Sequence, residues 1–391
     1  MSKTLITMLA IFSLVGAACG APQGASPVRT EAPDQTGTLP EGPSALGDPT
    51  NSAFPEPLVD PSQIISGGPP PDGIPPVDDP AFVPISEADQ YLDPEAPVVV
   101  LEVGGEARAY PVQILTWHEI VNDTVGGKPV VVTYCPLCNT AVSFERVVNG
   151  VETTFGTSGR LYNSALVMYD RATESLWTHF DGRAVVGVLA GEQIQPVPSP
   201  LLAWSELKSA HPEAQVLDRE RTGAERPYGS NPYAGYDSPE GFPFLFRGEP
   251  DDRAQAMQRV VGVALTGEAT AYTLEAVSGG EARATHGEVG GEPLVIFWKS
   301  GQASALEANQ VAEGRDVGSV GVFIPAADGR RLTFQAEAGR FIDQETGSTW
   351  NIAGQATKGP LAGRALERIH HFDTFWFAWS SYQPGTALVE G

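Results

Sequence analysis

The sequence predicts a mainly β (α+β) protein: two related β-rich units in tandem, with a few short helices. Three observations predict it. Short β-branched or alternating runs such as Val98–Val103, Val130–Tyr134 and Ala165–Tyr169 recur along the chain. Gly104-Gly105, Gly126-Gly127 and Asn149-Gly150 separate such runs, as tight hairpins require. Three segments also return in the same order about 150 to 175 residues later, the signature of an internal repeat.

Residues 1–19 read as an export signal, with Lys3 before an apolar stretch Leu5–Val15 and the small residues Gly16-Ala17-Ala18 before Cys19. A cysteine in that place marks a lipoprotein signal, so Cys19 is the expected lipidation site. The apolar stretch is shorter than the roughly 20 residues that a membrane-crossing helix needs. The expected location is therefore outside the cytoplasm, facing the periplasm or cell exterior, with membrane contact through the N-terminal lipid alone.

Residues 20–95 carry 17 of the 34 prolines, 13 acidic residues and one basic residue, Arg29. Such a composition buries little apolar surface and predicts an extended acidic tether. Its last part, from Ile64 to Tyr91, has the apolar residues to pack on the body as an arm. A net charge of −24 leaves no basic face for phosphates and excludes nucleic acid as a partner.

Residues 96–247 form the expected first unit. Strands are predicted at Val98–Val103, Ala107–Tyr110, Val130–Tyr134, Ala141–Val148, Ala165–Tyr169 and Ala184–Leu189, and helices at Val112–Val121 and Leu201–Ala210. Residues 248–391 form the second. There Gly105-Glu-Ala-Arg-Ala-Tyr110 returns as Gly267-Glu-Ala-Thr-Ala-Tyr272, and Val125–Val132 as Val289–Ile296. Asp170-x-x-Thr173-x-x-x-Trp177 returns as Asp343-x-x-Thr346-x-x-x-Trp350, the frame of a turn stapled by tryptophan.

The chemistry concentrates at Tyr134-Cys135-Pro136-Leu137-Cys138, the end of an apolar strand. The second unit has Trp298-Lys299-Ser300-Gly301-Gln302 there, so the turn itself does not require thiols. Two thiols so spaced hold a soft metal, exchange electrons, or close a structural disulfide. In the metal reading Cys135 and Cys138 are ligands to copper or zinc, His118 is a candidate third, and Asp123, His179 or water is a candidate fourth. In the redox reading Cys135 attacks and Cys138 resolves. In the third reading the protein is a non-catalytic surface binding module. Its disulfide is structural, and a cleft around Thr157, Ser158 and Arg160 holds a small molecule or a protein partner. The run Phe155–Ser164 itself reads as a connection between strands.

Tyr110-Pro111, Trp117–Asp123, the Tyr-Cys-Pro-Leu-Cys run, Phe155–Gly159 and Tyr169–Thr173 together resemble a bacterial family catalogued as domain of unknown function 3179. The resemblance covers most of residues 97–391. It implies one functional unit built from both repeats and assigns no catalytic residue.

Overall fold

In a computed structural model, residues 37–391 are described; the expected export signal, the expected lipidation site Cys19 and the start of the expected tether lie outside them. Strands dominate, and the five α-helices among the described residues are short, of four or seven residues. None is long and apolar enough to cross a membrane.

The hairpin Pro97–Val103/Glu106–Pro111 turns at Gly104-Gly105, both at positive φ, where glycine avoids the Cβ clash. Leu201–Ala203 flanks it on one side. Gln215–Leu217 and then Phe82–Pro84 flank it on the other, with Gln215–Leu217 parallel to its neighbour. A second sheet runs Ile120–Val125, Lys128–Cys135, Thr140–Glu145 and Pro196–Val197. A third runs Ile65–Ser66, Phe155–Tyr162, Ala165–Asp170, Leu176–Thr178 and Arg183–Val186.

Further along the chain, Phe372–Phe375, Arg259–Leu265, Glu268–Thr273 and Ala387–Val389 make a sheet whose last pair is parallel. Ala282–Val289, Glu292–Lys299 and Ser319–Phe323 make another. Phe334–Glu337, Arg340–Asp343, Thr349–Trp350 and Ala356–Lys358 make a third.

Several expected boundaries move for physical reasons. The helix expected to Val121 is Val112–His118, because Glu119 turns to φ 58° and the chain leaves as the strand Ile120–Val125. Leu201–Ala210 splits into a strand and the helix Trp204–Ala210. The glycine- and hydroxyl-rich run from Phe155 is not a connecting loop but the strand Phe155–Tyr162. A bulge between Thr157 and Arg160 absorbs Gly159, which sits at φ 70°.

The tether to residue 95 also needs correction. From Ala45 onward the segment lies on the body, burying Ala45, Ile64, Val77 and Val83. Its backbone pairs as it goes: Leu58 N–H donates to Val185, Asp72 N–H to Thr157, and Val77 N–H to Ile120. Asp72 and Asp78 both pair with Arg171. Composition misses this because a few well-spaced apolar side chains suffice when a prebuilt surface supplies the other half of each contact.

No boundary in packing appears at residue 247. One core cluster joins Tyr110, Tyr134, Cys135, Cys138 and Phe180 with Phe372, Trp376 and Trp379.

Candidate metal centre

Strand Lys128–Cys135 is buried from Val130 onward and delivers Cys135 to its end. The turn Pro136–Asn139 then brings Cys138 back over it, with Asn139 at φ 52° and its N–H donating to the Pro136 carbonyl. Both cysteines are free and almost wholly buried, at 1% and 0% exposure. Facing them is His179, just past strand Leu176–Thr178 of the neighbouring sheet and fully buried.

One ligand atom from each of Cys135, Cys138 and His179 lies within 4.8 Å of the others, and Cys138 Sγ is 3.4 Å from His179 Nε2. The far side of the imidazole is fixed. Thr133 Oγ1 donates its only proton to the Val142 carbonyl at 2.8 Å, and so accepts from His179 Nδ1–H at 3.2 Å. A neutral ring therefore turns the lone pair of Nε2 towards the sulfurs, the arrangement second-shell partners impose on ligating histidines.

The two thiols are not equivalent. Burial raises Cys135, but the hydrogen bond from Cys138 and, when the ring carries a proton on Nε2 as well, the hydrogen bond and charge of His179 outweigh it and hold Cys135 well below the ordinary thiol range. Loss of that proton leaves the Nε2 lone pair facing the sulfurs. Burial and the adjacent Cys135 push Cys138 well above it. The pair therefore gives up one proton readily and holds the second.

Residues remote in sequence brace the turn. Thr374 Oγ1 donates to the Cys138 carbonyl at 2.8 Å, and Phe375 N–H donates to the same oxygen at 3.3 Å. Arg259, buried, donates to Asp237 at 2.9 Å, Ser304 at 3.1 Å and Asn139 at 3.4 Å.

His118 does not join the thiols. Its Nδ1–H donates to the Pro75 carbonyl at 2.6 Å and its Nε2 accepts from the Tyr228 hydroxyl at 2.6 Å, so both ring nitrogens are taken. Asp123 is also elsewhere. It accepts from Tyr110 at 2.6 Å and from Arg108 at 2.9 Å. Among the three candidates for further ligands, the fold brings His179 alone to the cysteines. A signal was present in the sequence: two residues past Trp177 stands His179, whereas two residues past Trp350 stands Ile352.

A cleft of about 560 Å³ lies beside the centre, lined by Leu137 of the cysteine turn and by Thr157, Arg160 and Tyr236. Ser158 is not in its lining; its hydroxyl is turned inward to the Val167 carbonyl. Glu119, within the Trp117–Asp123 motif, lines the cleft as well. Its backbone is left-handed, and burial together with the charge of Cys135 pushes its carboxyl well above the usual carboxylate range. Strained backbone of this kind persists where the surroundings over-determine it, and clusters at functional sites.

Residues 71–386 match the family model described as "Protein of unknown function (DUF3179)". No curated protein and no solved structure matches the chain.

Proposed function

The chain belongs to the DUF3179 family, and from that premise we propose a metal-binding accessory protein in which Cys135, Cys138 and His179 hold one zinc or copper ion. The observation that carries the reading is the Cys138 Sγ to His179 Nε2 separation of 3.4 Å, with Nδ1 held by Thr133. A tetrahedral centre with Zn–S of about 2.3 Å and Zn–N of about 2.0 Å requires an S···N edge of about 3.5 Å. Three protein donors leave a fourth position for water or an incoming ligand atom, as in zinc sites that act on substrates.

Thiol–disulfide exchange is the second reading, supported by the unequal thiols, with Cys135 attacking and Cys138 resolving. Burial decides against it as the leading one. Exchange needs a partner sulfur to reach the attacking thiolate, and Cys135 is 1% exposed.

In this reading the two halves of the body are related units that build one site. The supporting observation is that their sheets follow the same strand order, with Phe372–Phe375 of the second half bonded to the cysteine turn of the first. In this reading the chain is exported and anchored through Cys19, as its first residues suggest, so that the centre stands outside the cytoplasm, where copper and zinc are handled without a reducing thiol pool.

The test is metal content of the purified chain, native and Cys135→Ser/Cys138→Ser, after exposure to zinc and to copper(I). One equivalent in the native protein and none in the variant supports the reading. No metal, with a pair that cycles between dithiol and disulfide, moves the site to electron exchange. Equal metal in both proteins sinks the assignment.

A further inference from the structure

The cleft beside the thiol turn has features that a metal centre does not use. Its walls are mostly apolar or aromatic, from Leu137, Leu161, Leu166, Tyr233, Tyr236 and Phe244, with Glu119, whose carboxyl burial pushes up, as the one acid in the lining. At about 560 Å³ it is the size of a small-molecule site. At its mouth Phe242 and Phe244 are left 64% and 53% exposed, a hydrophobic rim on a strongly acidic protein.

Arg160 is the one cationic side chain in the lining. Its Nη2 donates to the Leu46 carbonyl at 3.1 Å, and it makes no ion pair among the described residues. That is notable where 48 acidic residues face 24 basic ones. Just past the next strand, Arg171 takes two carboxylates, Asp72 and Asp78. A guanidinium spared from carboxylates, set in an apolar wall, selects a ligand that brings its own carboxylate and an apolar body.

We propose that the cleft binds a small monocarboxylate with an apolar chain or ring, its carboxylate on Arg160 and its body along Leu161, Tyr236 and Phe244. The occupant also reaches the thiol turn. Leu137 stands between the two cysteines, lines the cleft, and has its carbonyl held by the Tyr236 hydroxyl at 2.9 Å. The binding site does not rest on the metal reading, and occupancy is expected with the cysteines replaced.

Isothermal titration of the full chain with octanoate and with octanol isolates the charge from the chain. Octanoate is expected to bind one-to-one and about tenfold or more tighter than octanol, the preference a charge-assisted hydrogen bond supplies. Arg160→Ala is expected to remove that preference while leaving octanol binding unchanged. Phe244→Ala, at an exposed position on the rim, is expected to weaken both ligands alike. Cys135→Ser/Cys138→Ser is expected to retain octanoate binding whether or not it has lost metal. Equal binding of octanoate and octanol to the native chain overturns the proposal, as does binding of neither.

Discussion

Cys138 Sγ and His179 Nε2 lie 3.4 Å apart across the interface of two sheets, while His118, nearer in sequence, has both ring nitrogens bonded elsewhere. The two histidines therefore separate in experiment. His179→Ala is expected to lower metal affinity at least 100-fold by removing one of three donors. His118→Ala should leave metal stoichiometry unchanged and lower only stability, since it strips partners from the Pro75 carbonyl and the Tyr228 hydroxyl. Competition with a chromophoric chelator reads the first and thermal melting the second. Equal loss of metal in both variants would return His118 to the ligand set.

Thr133 sets the tautomer of His179 through a hydroxyl whose proton is committed to Val142. Thr133→Val keeps the shape of the side chain and removes the acceptor for Nδ1–H. Loss of such an outer partner typically costs about 10- to 100-fold in metal affinity. The same titration checks it, and Thr133→Ser, which keeps the hydroxyl, should restore most of the loss. An unchanged affinity in the valine variant would mean that the ring is held by packing alone.

Much of the scaffold was legible because local chemistry decides it. Hairpins at Gly104-Gly105 and Gly126-Gly127 follow from glycine at positive φ, and the strands beside them from β-branched runs. The cysteine pair was legible as a site because its counterpart, Trp298 to Gln302, lacks thiols. The third group was not, because His179 reaches the thiols through sheet packing that spans 41 residues from Cys138. His118 stands nearer in sequence, but sequence proximity says nothing about where a ring points once the helix ends at Glu119. Arg259 and Thr374, more than 100 residues from the turn they brace, leave no local trace at all.

Arg259 is expected to be the most sensitive of those remote positions. It is buried against Asp237 and Asp373, with Ser304 and Asn139 completing its bonds. Arg259→Met leaves the fully buried Asp237 with Arg315 alone and the partly buried Asp373 without its cation, and breaking a buried pair this way costs about 3–5 kcal/mol. Denaturant unfolding measures it. Because Asn139 is part of the cysteine turn, the variant should also weaken metal binding in the fraction that remains folded. Thr374→Val, which loses a neutral bond to the Cys138 carbonyl and another accepted from the Thr140 hydroxyl, should cost about 1–2 kcal/mol.

Acid sensitivity should begin near neutrality. Burial, then the adjacent His371, bring His370 down to about 3; burial, then Arg368, bring His371 down to about 4 against the Ile369 carbonyl that favours its proton. Both rings are neutral in the fold and take up protons on unfolding below about pH 6.5. The unfolded state binds more protons in that window. The contribution is therefore fully present above the unfolded pKa and is lost as pH falls from about 6.5 towards 4. Melting temperature measured from pH 8 to 5 should drop below about 6.5, and His370→Gln/His371→Gln should flatten the slope. A parallel slope in that variant would assign the acid response to carboxylates instead.

The last prediction bears on the relation between the halves. Asp170 accepts from Thr173 N–H at 2.7 Å, Ser175 N–H at 3.2 Å and Trp177 Nε1–H at 2.9 Å. Asp343 accepts from Thr346 N–H at 2.6 Å, Ser348 N–H at 3.1 Å and Trp350 Nε1–H at 2.9 Å. In each loop a second hydroxyl, Ser175 or Ser348, accepts a backbone N–H from a later residue, Leu189 or Leu361. Both carboxylates are buried, so truncation leaves an indole N–H and at least one amide N–H without partners. Each such orphan costs about 1–3 kcal/mol. Asp170→Ala and Asp343→Ala should therefore each destabilise by about 3 kcal/mol, within about 1 kcal/mol of one another, by denaturant unfolding. Their effects on metal should differ, because Trp177 leads directly into His179 whereas Trp350 leads into Ile352. Asp170→Ala is expected to loosen the metal centre and Asp343→Ala to leave it intact. Equal stability losses with unequal metal losses are what a duplicated loop would give if one copy had taken on a ligand. Unequal stability losses would mean that the matching bonds sit in frames of different rigidity, and would count against a common origin for the two loops.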